Sequence, residues 1–317
     1  MLSRRILRIK ALKALYAHLQ TESDNMMATE KSMMASIEKA YDLYFQMLAL
    51  PAELVRYAES RQELARQKMM PTFEDLNPNT KFVDNQAIQL LANSDSVNDY
   101  LAKRKLSWSA YPEFIKLLYN QICERDYFKA YMSSEERTFN EDRALLERIF
   151  CDELQECEAL DNLLEESSIL WADDLPFILI MVVRTLQNMK ASHSDVKVLP
   201  CFKNEEDERF VRLLFEKSLV NYNDHMRLIE PYLHNWDMER IAYMDMLILV
   251  TALTELIEFE SIPVKVTLDE YIEISKFYSS PGSGNFINGI LDKVIVELTR
   301  EGRIAKSGRG LIDRSLK

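Results

Sequence analysis

A chain of 317 residues with 47% hydrophobic side chains, but only six glycines and nine prolines, is long enough for two lobes and poor in helix breakers, so a nearly all-helical protein is expected. Its four cysteines, Cys123, Cys151, Cys157 and Cys201, form no CxxC pair, which excludes a disulfide scaffold or zinc knuckle and fits a reducing cytoplasm. The net charge of −12 argues against a general polyanion binder, yet residues 1–21 and 300–317 together hold 11 basic and 2 acidic groups, leaving 28 against 49 for the interior.

Residues 3–21 read as a first helix, with Ile6, Ile9, Leu12, Tyr16 and Leu19 forming an apolar stripe. Arg4 and Arg8 fall on one flank of that stripe and Lys10 on the other, which gives either a basic edge for a polyanion or a set of solvated charges. A transit helix is similarly Arg-rich, but Ala14, Leu15 and Tyr16 continue into a core-like pattern with no cleavage spacer. Residues 29–69 are a long helical pattern that Pro51 is expected to break into two antiparallel helices, since proline suits a first helical turn. From Pro71 to about Arg137 the periodicity weakens, with turn signals at residues 77–79, 93–95 and 109–112 between short helical pieces, which reads as an insertion. Residues 139–168 are helical and heavily acidic around Leu145, Leu146, Ile149, Phe150 and Leu154, and the pattern leaves open whether they pack in a core.

A hydrophobic helix then runs to Met189, followed by helices over Asn204–Tyr222 and on to Leu233. The helix from Met238 to Phe259 has so little polar face that it should be central to its lobe. The most apolar runs, Leu175–Val183 and Met246–Ile257, are too short, or too interrupted by groups such as Glu255, for a membrane span of about 20 residues. No membrane association is expected. Two last helices are joined by a turn in which Gly282, Gly284 and Gly289 fall within eight positions, so a close backbone approach is expected there. Ser283 is the expected N-cap of the final helix, with Phe286, Ile287, Ile290, Leu291, Val294, Ile295 and Leu298 as its buried stripe.

Catalytic or metal chemistry has no visible residues to carry it. None of His18, His193, His225 or His234 follows a Glu by three residues, so a di-iron helical bundle cannot be assembled in its usual pattern. Phosphate-binding loops, HExxH and GxSxG are absent, and neither a cofactor nor a metal is expected. Cys151 and Cys157 lie on an acidic helix that should raise their thiol pKa and disfavour a nucleophilic role. Asp245, inside the most apolar helix, is either a functional acid or a first-turn carboxylate favoured by the helix dipole.

The segment Asn204 to about Leu298 resembles the NusB family of transcription antitermination factors. The strings carrying the resemblance are Trp236–Ile241, Ile248–Leu249, Glu255–Leu256, Ile262–Val266, Asp269–Glu273 and, most specifically, Asn285–Lys293, NFINGILDK. Arg4, Arg5 and Ala14–Tyr16 are similar to the family's arginine-rich first helix, whereas residues 70–200 show little likeness and the chain is about twice the usual family length. The resemblance implies an all-α, NusB-like fold of two helical bundles with an added helical insertion. The domains expected are 1–70, 71–203 for the insertion, 204–300 for the C-terminal bundle and 301–317 for a basic tail.

Functionally, the resemblance implies a non-enzymatic, cytoplasmic factor that binds boxA-type single-stranded RNA with the NusE ribosomal protein, within an antitermination complex on RNA polymerase. By position Arg4, Arg5 and Arg8 take the arginine roles, Tyr16 stands at a matching tyrosine, and Phe286, Asn288 and Lys293 belong to the last-helix string. The family often has a third basic residue where this chain has Ile6, which shifts expectation to Lys10, Lys265 and the tail. The alternative is a helical protein–protein scaffold that has lost RNA binding.

Overall fold

The structure, a computed structural model, describes residues 1–171, 173–233, 241–308 and 310–311. The resembling residues 236–240 and much of the expected basic tail lie outside the described residues. Within them the chain is all-α and carries no strand. In chain order the helices are α1 (Arg4–Gln20), α2 (Met26–Arg66), α3 (Phe73–Leu76), α4 (Gln86–Ala92), α5 (Asp95–Arg104), α6 (Pro112–Glu124), α7 (Asp126–Ser133) and α8 (Phe139–Arg148). They continue as α9 (Glu158–Ser167), α10 (Leu175–Asn188), α11 (Glu205–Val220), α12 (Tyr222–Ile229), α13 (Tyr243–Glu258), α14 (Val264–Tyr278) and α15 (Ser283–Arg300). No helix among the described residues is long and apolar enough to cross a membrane.

Two compact units result, one of Met1–Leu2 with Glu38–Cys201, the other of Ser3–Ile37 with Phe202–Lys317. They differ sharply in charge. The first holds 28 acidic against 18 basic residues and the second 23 against 21, so nearly all of the net −12 belongs to the first. The overall charge therefore says little about what the second unit can bind.

In the first unit, α2 corrects an expectation, because Pro51 lies inside one continuous 41-residue helix instead of separating two. A proline within a helix forfeits one backbone hydrogen bond and clashes with the preceding turn, at a cost of about 3 kcal/mol. Here the buried face continues across it, with Leu43, Tyr44, Met47, Leu48 and Leu50 before and Ala52, Leu54 and Ala58 after. Burying that many apolar side chains, each contributing about 1.5–3 kcal/mol, outweighs the local penalty. The acidic segment puts its apolar face inside its unit: Leu145, Leu146, Ile149, Phe150, Leu154, Leu160 and Leu164 are buried, while Asp152, Glu156, Glu158, Asp161, Glu165 and Glu166 are exposed. Between α8 and α9 the chain widens into a π-helical turn, Ile149–Glu153. The buried Glu153 carboxylate there accepts hydrogen bonds from Gln121 Nε2 (2.8 Å), Arg125 Nε (2.8 Å) and Tyr127 Oη (3.1 Å). Cys157 is buried, in keeping with a packing residue, whereas Cys151 is exposed; both thiol pKa values are raised, by burial foremost and with a contribution from nearby carboxylates, although backbone hydrogen bonds at Cys157 oppose the rise.

In the second unit α13 is central, as expected from its nearly uninterrupted apolar surface. It is buried from Asp245 through Leu256 and packs against α1, α11, α12, α14 and α15. α1 lies against α11, α13 and α14, which brings the arginine-rich N-terminal helix onto the C-terminal half of the chain.

The turn into α15 differs from expectation by one residue and in its physical cause. Gly282, not Ser283, is the N-cap and holds φ = +96°, a left-handed conformation that costs other L-residues about 1–2 kcal/mol. Ser283 is the first helical residue, and its hydroxyl donates to Asp245 Oδ2 (2.9 Å). The close approach expected at Gly289 is absent, since a Cβ built there meets nothing within 4 Å, whereas one at Gly310 would run into the Glu260 carbonyl oxygen. Gly289→Ala should therefore stabilise the chain by up to about 1 kcal/mol through helix propensity. Gly282→Ala should destabilise it by about 1–2 kcal/mol. Urea unfolding midpoints of the two variants check the opposite signs.

Candidate nucleic-acid interface

The three arginines of α1 have three different fates, each set by a carboxylate from a distant part of the sequence. Arg4 donates from Nε to Asp207 Oδ1 of α11 (2.9 Å), with its guanidinium carbon 5.1 Å from the Phe210 ring centre. Arg5 forms a two-pronged pair with Glu270 of α14, Nε to Oε2 at 2.8 Å and a terminal nitrogen to Oε1 at 3.0 Å, which raises its pKa. Both side chains remain about one-third exposed, 35% and 36%. Arg8 is only 3% exposed and is held by Glu255 of α13 through two 2.7 Å hydrogen bonds. Burial, the largest single influence, would lower its pKa, but the Glu255 charge and hydrogen bonds, with Tyr271 and Glu270, together outweigh burial and raise it.

Glu255 is fully enclosed and satisfied from several sides. Thr267 Oγ1 donates to its Oε1 (2.8 Å) and Tyr271 Oη to its Oε2 (3.3 Å), while Arg8 also lies 3.5 Å from Glu270. Tyr271 is buried, and its pKa is raised by that burial and by the Glu255 charge. Arg8, Glu255, Thr267, Tyr271 and Glu270 thus clamp α1, α13 and α14 together.

These positions reassign part of the expected site. Arg8 and Phe286 are buried, and Lys10 is 4% exposed, so none of the three presents its polar or aromatic group at the surface. The periodicity of α1 places Arg8 beside the apolar stripe but cannot show that a carboxylate from α13 covers it. Arg4 and Arg5 stay accessible at their edges. Tyr16 is half-exposed and meets Tyr243 edge to face, with ring centres 5.9 Å apart. Lys265 and Lys293 are exposed, and Asn288 donates from Nδ2 to Asp292 Oδ2 (3.2 Å).

Three groups absent from the expected site join it. Lys13 places its ammonium 5.1 Å from the Tyr278 ring centre. Tyr243 opens α13 beside Tyr16, and in the same first turn the buried Asp245 faces Ser283 of α15, with its Oδ1 finding no hydrogen-bond partner among the described residues. The sequence signal for Asp245 was an acid in an otherwise apolar helix. Lys13 is legible in the sequence only as one of the basic residues of the first 21, and Tyr243 carries no signal of its own. The result is a strip on one unit, running from Arg5 past Lys13 and Tyr278 to Tyr16 and Tyr243. It combines guanidinium and ammonium groups that can meet phosphates with aromatic faces and edges that can meet bases.

The NusB family model matches residues 180–296. The "Transcription antitermination protein NusB" of Salinibacter ruber is 42% identical over 39% of this chain and 76% of its own length. The chain belongs to the NusB family. Further NusB proteins, similarly named, are those of Chloroherpeton thalassium, 36% identical over 33% of this chain and 49% of that protein, and Alkaliphilus oremlandii, 34% identical over 29% and 66%. The chain thus spans half to two-thirds of these two relatives. A solved T. maritima NusB structure covers 44% of this chain and 87% of that one at 29% identity, with a TM-score of 0.29 that is too low to bear on the fold. The NusB match begins within α10, so most of the first unit lies before it, while Tyr243 and Tyr278 of the strip lie inside it.

Proposed function

We propose that this NusB-family protein is a non-enzymatic, cytoplasmic transcription antitermination factor. It holds boxA-type single-stranded RNA together with a NusE-like ribosomal protein in a complex with RNA polymerase, using the α1–α14 strip. The observation that supports this reading most directly is the accessible Arg5 on the same side of α1 as Lys13 and the Tyr16–Tyr243 pair, with the accessible Arg4 on the adjoining α11 side, on a unit that is nearly neutral overall. Each arginine already has a carboxylate partner, so RNA phosphates would compete with or extend those pairs. Such exchange makes affinity salt-sensitive and favours a partner that adds further binding surface. Lys265, Asn288 and Lys293 would extend the interface, with Arg8, Lys10 and Phe286 acting from beneath through packing. We propose in addition that residues 71–203 form the insertion, flanked by 1–70, 204–300 and the tail 301–317.

Titration of a boxA-type RNA, alone and with the NusE-like protein, tests the reading. The Arg4→Ala/Arg5→Ala variant should bind more weakly, and its affinity should fall less steeply with salt, the slope dropping by about 0.7 for each phosphate that is no longer neutralised. Binding and salt slope equal to those of the parent would remove the strip from consideration and favour the scaffold alternative.

A further inference from the structure

We infer that Phe277 is a base-stacking residue of the same strip, an assignment that rests on the RNA reading above. Phe277 is 77% exposed, far more than the other exposed aromatic side chains among the described residues of this unit, Tyr16 at 40% and Tyr243 at 39%. On α14 the buried face is made by Thr267, Tyr271, Ile274 and Ser275. Phe277 follows Glu270 by seven residues, close to two turns of 3.6, and so projects from the same flank of the helix as Glu270. That flank is the one turned toward the basic edge of α1, because Glu270 is the residue that binds Arg5. One turn before Phe277, Glu273 has its carboxyl pKa lowered, by Lys276 foremost and by Arg5 as well, so the Arg5 charge is felt along this flank. Lys13, two turns beyond Arg5 on α1, sits over the ring of Tyr278, the immediate neighbour of Phe277. Phe277 therefore stands at the end of a row of cations, with its ring open to solvent.

An exposed phenyl ring is poorly solvated and contributes nothing to the core of this unit. Beside guanidinium and ammonium groups it has the composition of a single-stranded nucleic-acid platform, in which cations follow the phosphates and an aromatic face takes an unpaired base. Stacking differs from the arginine–phosphate pairs in a measurable way. It adds affinity without neutralising phosphate, so its loss leaves the salt dependence unchanged.

The experiment uses the full chain and a boxA-type single-stranded RNA, with binding measured across a salt series for the parent, Phe277→Ala, Phe277→Leu, Phe277→Tyr and Arg4→Ala/Arg5→Ala. The expected result is binding about tenfold weaker for Phe277→Ala and Phe277→Leu at an unchanged salt slope, with near-parental binding for Phe277→Tyr, which keeps the ring. The three Phe277 variants should melt at the parental temperature or close to it. Parental affinity in Phe277→Ala alongside weakened binding in the arginine variant overturns the assignment while leaving the RNA reading in place. Failure of the parent itself to bind RNA overturns both. Full RNA affinity in Phe277→Ala and Phe277→Leu with weakened binding of the NusE-like protein would move Phe277 from RNA to a protein interface and equally overturn the assignment.

Discussion

Arg8→Ala should destabilise the second unit by about 3–5 kcal/mol, the range for removing one partner of a buried ion pair, because it strands Glu255 in an enclosed site. Thr267 and Tyr271 would still donate to that carboxylate, but neither supplies a compensating charge. Arg8→Lys should rescue little, since an ammonium cannot reproduce the two parallel 2.7 Å hydrogen bonds. Denaturant unfolding followed by far-ultraviolet dichroism checks the size of the loss. The double variant Arg8→Met/Glu255→Leu separates charge stranding from packing: removing both charges should recover much of the loss, short of the hydrogen bonds that the Thr267 and Tyr271 hydroxyls would forfeit. If Arg8→Ala behaved like an exposed substitution, within about 0.5 kcal/mol of the parent, the clamp between α1, α13 and α14 would be wrong. The same burial predicts that Arg8→Ala harms RNA binding only as far as it unfolds the unit, in contrast to Arg4 and Arg5.

Acidification from pH 7 to 4.5 should weaken the fold by about 2.5 kcal/mol through His225 alone. This imidazole is buried, with its Nδ1 3.2 Å from Thr254 Oγ1, and Thr254 is in turn joined to Ser218 and to the Val250 carbonyl oxygen. Burial pushes its pKa down from 6.5 to about 4, assisted by Arg303 and opposed by Asp224 and a backbone hydrogen bond with Val250. The folded pKa lies below the unfolded one, so between the two values the unfolded chain binds more protons. Stability is therefore complete above about pH 6.5 and is lost as the pH falls toward 4. A displacement of this size corresponds to about 3 kcal/mol in the limit of low pH. Stability measured at half-unit intervals should fall between pH 6.5 and 4.5, and His225→Gln should flatten that part of the profile. An equally steep profile in His225→Gln would assign the acid sensitivity to other groups.

The fold class was readable because three- and four-residue apolar spacing and the scarcity of glycine and proline act locally, and helices made that way survive in any all-α packing. Pro51 and Gly289 show where local reasoning stops. A proline that would end an isolated helix is carried through α2 by buried residues on both sides, while a helical glycine that suggested a close neighbour faces open space. The candidate site divides in the same way. Arg4, Arg5 and Tyr16 could be nominated from the first helix and the family-like strings, but accessibility depends on partners more than 200 residues away, as in the pairs of Arg4 with Asp207, Arg5 with Glu270 and Arg8 with Glu255.

By itself, then, the sequence determined that this is a helical protein of the NusB family with a cationic first helix, since periodicity, composition and residue strings are properties of the chain read in order. Only the tertiary structure decided which cations hold helices together and which face solvent. A charge beside an apolar stripe costs nothing on an isolated helix, and it becomes a clamp or a binding surface only when another helix brings, or fails to bring, a carboxylate over it.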